Sequence, residues 1–182
     1  MRENRKSRIS RILIFLFVLI VTFLLIRYRA LAQSFGHYGY PGIFLFSIFT
    51  NATLIFPIPG VVFTSAMGAV FNPVWVAIAA GLGAALGELT GYLAGFSGQV
   101  IIENRGWYER FTILMRKYGD LTVLFMAVIP NPIFDLAGIA AGMLKMPVGR
   151  FLLWCSLGKI IKMLIFSFAG ASIFNLINFP GV

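Results

Sequence analysis

Four ionisable side chains stand inside long apolar stretches of this chain: Glu88, Asp135, Lys159 and Lys162. At membrane depth each costs about 2.5–3.5 kcal/mol on insertion scales, so such groups are kept for function or for tight pairing. Their formal charges sum to zero. That balance fits two structural ion pairs, and it fits equally a polar mid-membrane cavity that receives a charged substrate or protons. Lys159 and Lys162 are three residues apart and share a helix face, so two ammonium groups can converge on one phosphate. Glu88 and Asp135 can balance those charges or exchange a proton. Asn131 lies between Pro130 and Pro132, where the chain cannot be helical; its carbonyls either line the cavity or simply turn the chain.

The solvent for these groups follows from composition. Hydrophobic residues make up 59% of the 182 and charged residues 12%, and the mean hydropathy is +0.91. Globular domains have roughly 25% charged residues. A disordered chain, a coiled coil and an ordinary soluble enzyme are thereby excluded. The single cysteine, Cys155, excludes disulfides and thiolate metal sites. His37 has no second histidine to share a metal with and reads as an interfacial side chain. Asn51-Ala52-Thr53 matches a glycosylation sequon but falls in an apolar arm, so no modification is expected. No Ser–His–Asp or Cys–His arrangement is present, so neither enzymatic activity nor a cofactor is expected.

The elements that must position the four charges can be read from breaks in the apolar runs. A basic N-terminus precedes an apolar run from Ile12 to Ile26, closed by Arg27, Tyr28 and Arg29, and residues 1–32 read as an uncleaved first transmembrane helix. A re-entrant hairpin is expected over 41–72, with arms Gly42–Phe56 and Val61–Phe71 broken at Pro57, Pro59 and Gly60. A long helix over 74–98 holds Glu88 near its middle. Residues 99–120 are the sustained polar segment and read as an interfacial amphipathic loop or helix. A second hairpin over 121–146 breaks at Pro130 and Pro132, and a last helix over 150–177 holds both lysines. Gly83, Gly87, Gly91 and Gly95 form a stripe at i,i+4 spacing around Glu88, suited to close helix packing.

The two halves repeat. Pro57 and Pro59 answer Pro130 and Pro132, Pro73 answers Pro147, and each of the last two is separated by 14 intervening residues from a charge, Glu88 in one half and Lys162 in the other. Paired, proline-interrupted apolar segments point to an inverted-repeat transporter fold. The expected fold is therefore an all-α integral membrane protein: two re-entrant helical hairpins in inverted repeat, each followed by a transmembrane helix, plus the N-terminal helix. With the N-terminus inside, eleven Lys and Arg fall on cytoplasmic segments against two outside, Arg27 and Arg29. That obeys the positive-inside rule and predicts a multi-pass protein of the cell membrane with a cytoplasmic N-terminus.

Three motifs, Gly87-Glu88-Leu89-Thr90-Gly91-Tyr92, Ile129 through Ile139 with its Pro130-Asn131-Pro132, and Gly158-Lys159-Ile160-Ile161-Lys162-Met163, resemble the VTT (DedA-like, SNARE-associated) superfamily. They are most similar to its vacuole membrane protein branch. The resemblance implies two oppositely oriented re-entrant hairpins and movement of phospholipid or polyprenyl-phosphate lipid between leaflets. Ala127 and Ile133 stand where bacterial DedA members usually have arginines, and Gly60 stands where an acidic residue is often found. These departures favour the scramblase-like branch. The expected function is ATP-independent lipid translocation through a polar mid-membrane cavity; the alternative is proton-coupled transport of a polyprenyl-phosphate lipid or small solute. Expected partners are membrane phospholipids or a polyprenyl-phosphate lipid, with protons and a second copy of the chain as further candidates, and no nucleic acid.

Overall fold

The computed structural model describes residues 36–52, 60–98, 105–129 and 134–177. Among them are seven helices and no strand: α1 (Gly36–Ala52), α2 (Gly60–Val70), α3 (Pro73–Gly87), α4 (Leu89–Phe96), α5 (Arg105–Val128), α6 (Phe134–Met143) and α7 (Val148–Ile177). The first transmembrane helix expected over 1–32 lies outside the described residues, as do the breaks at Pro57, Pro59, Pro130, Asn131 and Pro132.

Local chemistry explains where the helices begin and end. Asn72 caps α3: its side-chain oxygen accepts from the Val74 and Trp75 amides at 3.0 and 3.4 Å. Pro73 fills the first helical position, where a missing N–H is harmless. Glu88 separates α3 from α4, yet its amide still bonds the Ala84 carbonyl and its carbonyl accepts from Tyr92, both at 3.1 Å. The two helices thus run on as one 24-residue apolar rod, Pro73–Phe96, long enough to cross a membrane; Val148–Ile173 in α7 is the second such span. α6 ends in paired bonds, Lys145 N–H to Gly142 at 2.9 Å and Met146 N–H to Ala141 at 3.0 Å, with Lys145 in the left-handed region at φ 53°.

Two boundaries differ from the sequence-based expectation. Of the loop and the helix that the polar segment allowed, the described residues from Arg105 form the helix, and α5 runs on through a break at Gly119 (φ 14°, ψ −84°) into the arm expected to begin at Leu121. Charge marks an interface, but it does not distinguish loop from helix. α1 begins at Gly36 and contains Pro41, so the first arm starts six residues earlier than expected. One proline early in a helix removes one backbone bond and does not end it.

α7 packs on α3, α2 and α5, α1 lies on α3, and α6 lies on α4. The seams are built of small residues. Val76, Ala77, Ala80, Ala84 and Ala85 are fully buried on α3, while Trp75, Leu82, Leu86, Leu93 and Phe96 are exposed along the same rod. α7 likewise buries Phe151, Cys155, Lys159, Met163 and Ser167 and exposes Leu153, Leu157, Ile161, Ile165 and Phe168. Apart from Phe151 and Met163, these rods carry large apolar groups outside and small or polar ones inside, which suits hydrocarbon as the surrounding medium, where helices associate through close packing.

The closest approaches share a register. A Cβ added at Gly68 (α2) would lie 2.2 Å from the Ser167 carbonyl oxygen (α7), and one at Gly142 (α6) would lie 2.0 Å from that of Tyr92 (α4). Gly170 meets the Ser65 carbonyl at 1.9 Å, and Gly95 meets that of Ile139 at 2.0 Å. Each contact maps onto its counterpart by a shift of 74 or 75 residues.

Candidate functional site: a buried ion pair between the long helices

Glu88, at the joint of α3 and α4, is 4% exposed, and Lys159, on the facing surface of α7, is 2% exposed. The Lys159 ammonium forms a salt bridge to Glu88 Oε1 and donates to Asn51 Oδ1 at 3.1 Å. Asn51 is held in turn, its amide nitrogen donating to the Ser47 carbonyl at 2.9 Å and to Thr50 Oγ1 at 3.1 Å. Three helices therefore converge on one buried cation.

The glycine stripe explains how α1 comes so close. A Cβ at Gly83 would meet the Phe44 carbonyl at 2.2 Å, and one at Gly87 would meet that of Ile48 at 2.5 Å. Backbone lies on backbone, and the last turn of α1 brings Asn51 within reach of α7. The Thr90 hydroxyl lies 3.0 Å from the carbonyl oxygens of both Ala52 and Gly87, which fastens the end of α1 to the joint. Gly91 is buried on the same rod, and Gly95 backs onto α6.

Lys162, 7% exposed, stands one turn beyond Lys159 on the same face, with Lys159 and Glu88 as its charged surroundings. Among the described side chains these three leave the site with one excess positive charge. Asp135 is the second residue of α6; Gly138, one turn later, lies against α4, an added Cβ being 3.8 Å from the Glu88 carbonyl oxygen. The Asp135 side chain and Asn131 lie outside the described residues. The structure thus brings Glu88 and Lys159 together, sets Lys162 beside them and leads the α6 backbone toward them.

Asn51 is the residue that sequence reasoning missed. Its signal was present: an amide in an apolar arm near a proline break, with Ser47 one helical turn before it and Thr50 beside it. The sequon match drew attention to its modification rather than to its hydrogen bonds.

Arranged in this way, the site can hold an anion beside a charge-neutral pair, or exchange a proton where the pair opens. Removing one partner of a buried pair costs about 3–5 kcal/mol, because the other is left uncompensated. No solved structure matches the chain. Two plant proteins do in part: vacuole membrane protein KMS1 of Arabidopsis thaliana is 33% identical over 107 residues, 47% of this chain and 26% of its own length. Vacuole membrane protein KMS2 of the same plant is 31% identical over 107 residues, 47% of this chain and 25% of its own. The chain spans about a quarter of the length of these curated relatives. The VTT domain model covers residues 58–172, from the α2 end of the first broken segment into α7, with Glu88, Asp135, Lys159 and Lys162 inside its bounds, so this membrane protein belongs to the VTT domain family.

Proposed function

We propose that this protein moves phosphate-bearing lipids between the leaflets of the cell membrane without ATP, the headgroup passing through a polar notch while the acyl tails stay in the bilayer. The observation behind this reading is the buried Glu88–Lys159–Asn51 cluster with Lys162 beside it: a net-positive, hydrogen-bonding locus on membrane-length helices. Lysine binds phosphate as a point charge, and Glu88 keeps the two ammonium groups tolerable when no phosphate is present.

The proposal includes the inverted repeat of two re-entrant hairpins and the cytoplasmic N-terminus. It is supported by the recurrence of the α2–α7 contacts in the α4–α6 contacts under one register shift. In such folds the site lies where broken helices of the two repeats meet, and Glu88 and Lys162 hold equivalent places by that shift.

Proteoliposomes containing headgroup-labelled fluorescent lipids test the idea. An external quencher is expected to bleach well beyond the outer-leaflet half; bleaching no greater than in empty vesicles, across several headgroups, overturns it. The second reading, proton-coupled transport, draws on the same carboxylate, since a proton on Glu88 would open the pair. It requires that a protonophore abolish transport, whereas passive lipid exchange survives one.

A further inference from the structure

A cavity of about 920 Å³ lies away from the ion pair, at the N-terminal end of α7. Lys117, Tyr118 and Asp120 line it around the break in α5, Lys145 from the α6–α7 turn, and Arg150 and Trp154 from the first turns of α7. Its walls bear three cations and one carboxylate. Asp120 Oδ2 accepts from Arg150 Nη2 at 2.7 Å, but the Arg150 side chain is 62% exposed and keeps its remaining donors open. Lys117 lies over the Tyr118 ring at 5.1 Å, at the edge of the same space.

Lys145 is the informative residue. At φ 53° it occupies the helix-terminating position where glycine is the usual choice. A non-glycine residue there costs on the order of 1 kcal/mol, and such outliers gather at ligand sites. Glycine would serve the turn better, so it is the lysine side chain that sets this position apart. The membrane-length part of α7 starts at Val148, which sets the cavity at the membrane surface, where tryptophan and tyrosine are at home.

We propose that this cavity binds a phosphate ester at the membrane surface, the headgroup of an anionic phospholipid, with Lys117, Lys145 and Arg150 as its phosphate contacts and Tyr118 and Trp154 as its walls. The volume fits a glycerol phosphate group, for pockets that hold small ligands run from about 300 to 1,000 Å³. A guanidinium with open donors takes a phosphate through parallel hydrogen bonds while two lysines neutralise it. This is an equilibrium binding site, and it stands whether or not lipids cross the bilayer.

The test uses the full chain in phosphatidylcholine vesicles with Trp75→Phe and Trp107→Phe, so that Trp154 alone emits. Adding phosphatidylglycerol is expected to shift the Trp154 emission saturably. Lys145→Gly should weaken the response about tenfold, the loss of one charged hydrogen bond, without lowering thermal stability. Lys117→Ala, on an exposed side chain, should weaken it in the same direction. Responses in both variants equal to that of the otherwise unsubstituted chain overturn the proposal, and so does an unsaturating rise matched by oleate, an anion without phosphate. Soluble glycerol phosphate added to phosphatidylcholine vesicles separates the sources: no shift assigns the site to lipid, and a shift assigns it to soluble phosphate esters.

Discussion

Lys159 is the residue on which three helices depend, and its chemistry can be separated from its packing. Glu88→Gln leaves the ammonium without its countercharge, and unfolding in detergent should show a loss of about 3–5 kcal/mol. Replacing both partners by leucine should restore most of that stability, because a well-packed apolar pair is often as good as a buried ion pair. Lipid exchange in vesicles should stay absent from the double variant. If the double variant still exchanges lipid, the pair serves structure alone. Asn51→Leu removes a hydrogen bond to a charged group and should cost about 1.5–3 kcal/mol by the same unfolding measurement. Glu88, Lys159 and Lys162 were legible in the sequence because hydrocarbon makes charge expensive. Asn51 was not, because a neutral amide is cheap enough to sit in an apolar arm without announcing a role.

Among the elements, the decisive contacts are those in which one helix lies on another with nothing between the backbones. Gly95→Ala would set a methyl 2.0 Å from the Ile139 carbonyl, so α6 must move off α4. Thermal unfolding should register a loss of about 1–3 kcal/mol or more. Gly42→Ala on α1 meets nothing within 4 Å and should stabilise by about 0.5–1 kcal/mol through backbone entropy. The i,i+4 spacing of Gly83, Gly87, Gly91 and Gly95 made this seam visible in advance. Which partner each glycine would face was not visible, since two helices, α1 and α6, share the stripe. The helical form of residues 105–118 stayed one of two readings for another reason: the lysines and arginines that suit an interfacial loop also suit a helix lying in the headgroup region.

For the whole molecule, the exposed leucines, isoleucines and phenylalanines of α3, α4 and α7 form an apolar belt suited to lipid, and the proposed orientation, N-terminus inside, can be tested by labelling. Cys155 is fully buried and should remain silent to a membrane-impermeant maleimide. Tyr38→Cys, at a position 80% exposed, should label on intact cells, whereas Lys117→Cys should label only after permeabilisation. The reverse pattern would place the N-terminus outside. The two membrane-length helices among the described residues could be read from hydropathy alone. The pairing of α2 with α7 and of α6 with α4 could not, because a run of alanines and glycines describes a smooth surface without saying which surface it meets.

That pairing has a consequence for how the chain must be assembled. α2 is covered by a helix synthesised about a hundred residues later, and the helix that covers α6 comes from the first half. Like clasped hands, neither half can be closed before the other arrives. Two fragments divided between α4 and α5 should each be degraded when made alone, yet re-form the bundle when made together.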